Sequence, residues 1–223
     1  MKIIIVEGTD RTGKDTLINE LKNMSNHTLI IHCGKPVGNT LKEQNRNQNI
    51  LFNDYLKKIY EDKYFDVCDL IIFNRAWYGE YVYGTIYRER DKEDVLKMIN
   101  CVEQDLKLFN NAKCKTKLDG VYYIQLINDS TKLALSNDDG NSISIDENNI
   151  LRETSLFHEI FNKSQIKKKM IIVNDGDKFR DNDKHESHII VVPSRPMITF
   201  ISLVIGLPQK LQIFCVLLFI DLC

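Results

Sequence analysis

"VEGTDRTGKDTL", residues 6–17, decides the fold of this chain. Gly8, Gly13 and Lys14 fall on the spacing G-x-x-x-x-G-K of a phosphate-binding loop. The apolar, β-branched run KIIIVE (2–7) precedes the loop, and a helical pattern through Leu17, Ile18 and Leu21 follows it. The chemistry needs that context. Glycines let backbone N–H groups converge on phosphate oxygens, and the N-terminus of the following helix adds partial positive charge. The expected ATP-binding stretch is therefore Gly8, Thr9, Asp10, Arg11, Thr12, Gly13, Lys14, Asp15 and Thr16, with Lys14 reaching the β- and γ-phosphates. One position departs from the pattern. The hydroxyl residue that normally follows the lysine and helps hold magnesium is replaced by Asp15, and Thr16 comes one place late. A carboxylate is also a hard-oxygen ligand for Mg2+, and an anion is comfortable in the first turn of a helix. Three readings stay open: Asp15 binds the metal, Thr16 does so instead, or the loop has become a binder without turnover.

Outward from the loop, strand-like and helix-like segments alternate. HTLIIHCG (27–34), DLIIFNR (69–75), GVYYIQLIND (120–129) and KKKMIIVNDGD (167–177) read as four further strands. Residues 14–24, 49–62, 92–109 and 147–165 carry helical spacing. The pattern predicts an α/β fold, a P-loop NTPase doubly wound parallel five-stranded sheet with helices on both faces. Ligands bind such sheets at the carboxyl ends of the strands, where segments 8–16, 33–38, 74–81 and 128–130 fall. Residues 131–152 read as a lid-like loop, polar and turn-rich over 137–149.

The chain has 223 residues and a formal net charge of -1, which fits one domain and offers no global basic field for nucleic acid. The six cysteines form no C-x-x-C pair and have no histidine at metal-ligand spacing, so they read as reduced thiols of a cytoplasmic protein. The amino-terminal apolar run is too short for a signal peptide. Residues 1–181 read as the P-loop domain and 182–223 as an atypical hydrophobic tail. Its last part, 197–223, holds two apolar runs split by Pro208-Gln209-Lys210, and neither reaches the roughly 20 residues of a spanning helix. Membrane contact through the tail is not expected, though the composition leaves it open.

Together, EGTDRTGKDTL, DLIIFNRAWYGEYVYG and the strand order resemble the thymidylate kinase-like branch of the nucleoside monophosphate kinases, especially viral and phage-like forms. The resemblance covers about residues 1–181 and implies transfer of the γ-phosphoryl of ATP, with Mg2+, to a deoxynucleoside monophosphate, dTMP first. It implies that Asp10 approaches the sugar 3′-hydroxyl and Arg11 stabilises charge on the transferred group. Related kinases are commonly dimers, so a homodimer is open. After the third strand the family has Asp-Arg, whereas this chain has Asn74-Arg75. Arg75 is placed to clamp the acceptor phosphate bidentately, which makes Arg11, Lys14 and Arg75 the expected catalytic residues. The loop has gained a carboxylate, Asp15, where the strand end has lost one, so the two changes are expected to offset each other. Trp77, Tyr78 and Tyr81 follow the strand end, where aromatic faces suit stacking on a nucleobase; packing in the core is the competing reading. Tyr83 and Tyr87 are assigned to the core, and Arg88 and Arg90 to the surface. The alternatives are a deoxynucleoside kinase, or a nucleotide-binding protein without turnover.

Overall fold

The β-branched run that opens the chain becomes the centre of a sheet. In the computed structural model, which describes residues 1–61, 67–111, 120–136, 143–144, 146–174 and 189–193, this run is β1 (Lys2–Gly8). It lies between β3 (Leu70–Asn74) and β4 (Gly120–Asn128), with β2 (Thr28–His32) outside β3 and β5 (Lys168–Asn174) outside β4. All five strands are parallel, as expected. A sixth strand, β6 (Ile189–Pro193), pairs antiparallel with β5 and gives the order β2-β3-β1-β4-β5-β6. It falls inside the segment read from sequence as tail. The remainder, 194–223, lies outside the described residues, and the question of membrane contact lies there with it. Among the described residues no helix is long and apolar enough to cross a membrane.

Alternation along the strands divides the core in two. Ile3, Ile5, Ile71, Phe73 and Tyr123 face α2 (Leu41–Glu61), α4 (Lys92–Asn111) and α6 (Glu147–Lys163). Ile4, Val6, Ile72, Ile124 and Leu126 face Leu17, Ile18 and Leu21 of α1 (Lys14–Lys22). Between β3 and α4 the chain makes a π-helical turn, Glu80–Gly84, that runs into the short α3 (Thr85–Tyr87). A further short helix, α5 (Thr131–Ser136), opens the segment read as a lid, of which 137–142 and 145 lie outside the described residues.

Helix α2 begins eight residues before the expected position, because polar capping rather than apolar periodicity starts it. Thr40 Oγ1 accepts from the Glu43 N–H at 3.2 Å, and Glu43 Oε2 accepts from the Asn39 N–H at 2.9 Å. This Thr-x-x-Glu arrangement satisfies N–H groups that the first turn leaves unpaired. The extra turns bring Asn45 and Gln48 to the edge of the site.

Candidate active site

The phosphate-binding loop leaves β1 at Gly8 and enters α1 after Gly13. At Gly8, where φ is 144°, a Cβ would stand 2.1 Å from the carbonyl oxygen of Leu126 on β4, so only glycine lets the loop depart so close to the neighbouring strand. Gly13 takes the left-handed φ of 86° and caps α1, with its carbonyl accepting from the Leu17 N–H at 3.1 Å. Arg11, at φ 65°, and Arg75, at φ 64°, are non-glycine residues in the same region. Such conformations cost of order 1 kcal/mol each and concentrate at functional sites.

Lys14 is buried and folds back over the loop. Its Nζ donates to the Gly8 carbonyl at 3.1 Å, to the Thr9 carbonyl and to Thr12 Oγ1 at 3.4 Å. Burial pushes its pKa down to about 8; Arg75's charge adds to this, and Asp10, Glu7 and Asp15 oppose it. Phosphate oxygens arriving at the loop would restore the favourable field that burial removes.

Arg75 continues β3 past its last sheet position, and its N–H donates to the Val6 carbonyl at 3.0 Å. Its guanidinium forms an ion pair with Asp10, which draws the loop and the strand end together. Arg11 Nη1 donates to the Ala134 carbonyl at 2.6 Å, and Nη2 to the Ser144 carbonyl at 3.3 Å, so this loop arginine is held against the segment read from sequence as lid-like. Asn74 Nδ2 reaches Asp15 Oδ1 at 2.8 Å and lies 3.1 Å from His32 Nδ1. The residue that departs from the loop pattern and the one that departs at the strand end are therefore in contact.

A cavity of about 540 Å³ opens over these groups, lined by the loop residues Asp10 to Thr16 and by Arg75. Cys33, Gln48, Glu80, Tyr83 and Arg88 line it as well. This corrects the aromatic reading. Trp77, Tyr78 and Tyr81 have no exposed surface and do not line the cavity. Trp77 packs edge-on against Phe73, and Tyr78 stacks on Tyr123 at 4.2 Å. The Tyr78 hydroxyl donates to Glu103 at 2.7 Å, and that of Tyr81 to Glu159 at 2.7 Å. Tyr83, within the π-helical turn, packs against the core as read from sequence, edge-on to Phe157, and also lines the cavity.

Arg88 and Arg90, read as surface residues, are also corrected. Both are nearly buried, and both ion-pair with the two oxygens of Glu80. Asn45 holds Arg88 further, its Oδ1 accepting from Nε at 3.2 Å and its Nδ2 donating to the backbone carbonyl at 3.1 Å. Sequence spacing carried no signal for this triplet, because charged residues in a run otherwise read as solvated.

Glu7 was missed for the opposite reason. One carboxylate inside an otherwise apolar β-strand was the available anomaly. It is fully buried, and Oε1 accepts from the N–H groups of Ala76 at 2.7 Å and Gly79 at 3.2 Å. Oε2 has no hydrogen-bond partner among the described residues. Burial raises its pKa to about 7, against the lowering effect of those two N–H groups, Arg75 and Lys14.

Among the described residues no three acidic, histidine or cysteine groups converge as a metal cage. Magnesium at a nucleotide site does not require one, since one or two protein oxygens plus phosphates and waters complete its shell. The exposed Asp15 carboxylate and the Thr16 hydroxyl, both on the cavity wall, fit that role.

No protein-family model matches the sequence, and no curated protein matches it. Solved structures do. The chain superposes on the YorR protein of Bacillus subtilis, crystallised in complex with phosphorylated GDP, with a TM-score of 0.51, 18% identity, and coverage of 80% of this chain and 88% of that one. It superposes on polyphosphate kinase 2 from Arthrobacter aurescens TC1 with a TM-score of 0.50, 9% identity, and coverage of 77% and 60%. Thymidylate kinase from Ehrlichia chaffeensis follows at a TM-score of 0.47, 15% identity, and coverage of 82% and 91%. With the strand order, the parallel sheet and the loop at the end of β1, the first two likenesses show that the chain has an α/β P-loop NTPase fold.

Proposed function

We propose that this protein is a nucleotide kinase that transfers the γ-phosphoryl of ATP to a deoxynucleoside monophosphate, with dTMP the first candidate. The observation that supports the reading is that one cavity is lined by both the phosphate loop and Arg75, which is joined to the loop through Asp10. Donor phosphates on the loop N–H groups and Lys14, and an acceptor phosphate on Arg75, would face each other across that space. Phosphoryl transfer asks the protein for little beyond this: in-line positioning, and cations on the oxygens that gain charge. Arg11 and Lys14 supply cations on the donor side. Asp10 orients the acceptor sugar once a phosphate competes for Arg75. Asp15, or Thr16 in its place, is the residue that would hold a magnesium ion bound with the nucleotide, and the ion would neutralise phosphate charge there. A monophosphate oxygen is already a nucleophile at neutral pH, so no general base is needed.

Gln48, Tyr83 and Arg88 also line the cavity and are the residues proposed to lie against the acceptor's base. The proposed dTMP preference rests on the loop residues Asp10 and Arg11 rather than on this wall. The test is ADP production by the full chain with ATP and Mg2+ against dTMP, dUMP, dGMP, dCMP, dAMP and thymidine. Turnover with dTMP supports the proposal as stated. Turnover with another monophosphate alone keeps the class and corrects the base. Turnover only with thymidine would replace it by a deoxynucleoside kinase. ATP binding without any turnover would make the protein a binder.

A further inference from the structure

We infer that Asp15 and Asn74 form a transposed metal-holding pair, in which the loop supplies the carboxylate and the strand end supplies the amide that aims it. The inference rests on the nucleotide-site reading above and deepens it. The register of the sheet brings the two residues together: Asn74 ends β3 opposite Val6 of β1 on one side and His32 of β2 on the other. One residue further, the backbone of Arg75 is tied to β1, so the strand end cannot move independently of the loop. From this position the Asn74 amide donates to Asp15 Oδ1 at 2.8 Å and leaves Oδ2 outside that bond.

The identities follow from charge. A carboxylate at position 74 would stand about 3 Å from that of Asp15, and two anions at that separation repel unless a cation lies between them. An asparagine removes the repulsion and donates a hydrogen bond, which fixes the rotamer of the neighbouring carboxylate. That is the part a hydrogen-bonding partner plays around a metal-ligating side chain, where its loss lowers metal affinity about 10- to 100-fold. The loop carboxylate then carries an anion's cost: without metal, it faces the phosphates of the nucleotide directly. Asp15 is thus a direct ligand, and Asn74 is a positioning residue acting through it.

This arrangement makes a signed forecast that a merely structural role would not. ADP affinity of the full chain is measured by calorimetry with Mg2+ and with EDTA, and Mn2+ binding to the ADP complex by electron paramagnetic resonance. Asp15→Ala should lower the metal-dependent gain in ADP affinity by roughly tenfold or more, and at the same time raise the affinity in EDTA. Asn74→Ala should weaken Mn2+ binding about tenfold while leaving ADP affinity in EDTA unchanged. Asp15→Ser combined with Asn74→Asp, which returns the carboxylate to the strand end and a hydroxyl to the loop, should recover Mn2+ binding to within about threefold of the wild type. The inference is overturned if Asp15→Ala weakens ADP equally with and without metal, if Thr16→Val alone removes Mn2+ binding, or if the double variant is no better than the worse single one. Wild-type protein that fails to bind ADP at all would instead overturn the nucleotide-site reading beneath it.

Discussion

Lys14 and Glu7 are two charges of opposite sign buried within the same few residues, and each has been pushed toward neutrality by the loss of water around it. For Lys14 the consequence is a proton. With its pKa lowered to about 8, a good part of the population is uncharged at pH 8, and phosphates bound at the loop would raise that pKa again. Nucleotide binding at pH 8 should therefore take up about half a proton. Calorimetric ADP titrations in buffers of low and high ionisation enthalpy should give different apparent enthalpies, and a Lys14→Arg variant, always charged, should show no such difference. Identical wild-type enthalpies across the buffers would contradict this. For Glu7 the consequence is a stability slope. Its folded pKa of about 7 lies above the unfolded value of 4.5, so the folded state holds the proton through a window in which the unfolded chain has lost it. Its contribution is fully present below pH 4.5 and is lost as pH rises through 7, a change on the order of 3 kcal/mol. Urea unfolding of the wild type and Glu7→Gln at pH 5 and pH 8 tests the sign. The variant should gain on the wild type as pH rises, and a gap that narrows instead would refute it.

At the level of elements, the π-helical turn after β3 decides what faces the cavity. It holds Tyr81 in the core, brings Tyr83 to the cavity wall, and plants Glu80 between two arginines, while Trp77 and Tyr78, just before it, are buried. Gly84 makes room for the triplet, since a Cβ there would stand 2.9 Å from Arg90 Cδ and 3.2 Å from Glu80 Oε2. With side-chain exposures of 4% for Glu80, 8% for Arg88 and 10% for Arg90, this network is screened little by solvent. Neutralising the shared anion leaves two buried cations without a counter-charge. Glu80→Gln should cost about 3 kcal/mol in chemical denaturation and, if the proposed acceptor site is right, weaken acceptor binding more than ATP binding, because Arg88 lines the cavity. A loss below about 1 kcal/mol would mean that water reaches the triplet after all. Helix α2 was legible only in part for a related reason. Its apolar periodicity begins near Leu51, but the turn signal at Thr40 and Glu43 starts the helix, which carries Gln48 to the cavity and Asn45 to Arg88.

For the whole molecule, the added strand changes where the folded unit ends. β6 closes the open side of β5 through an antiparallel pairing from Met170↔Pro193 to Asn174↔Ile189. A chain cut after residue 181 would leave the β5 edge with unpaired backbone groups, a template for association. It should melt lower and aggregate more than a chain cut after residue 193, measured by thermal scanning and light scattering; equal behaviour would mean that β6 contributes nothing to stability. Functional work is for this reason best done on the full chain.

The parallel five-stranded sheet, the loop at the end of β1 and the order of the elements were determined by the sequence alone. They depend on local signals: β-branched runs, glycine spacing and helical periodicity, each readable within about a dozen residues. The meeting of Asp15 with Asn74, of Asp10 with Arg75, and of Arg11 with the lid carbonyls depends on chain crossings that join residues 59, 65 and 123 positions apart. Which aromatics faced the cavity, and whether Arg88 was solvated, depended on a single irregular turn and on what packed around it. A side chain's neighbours across the fold, unlike its own backbone preference, are a property of the tertiary structure.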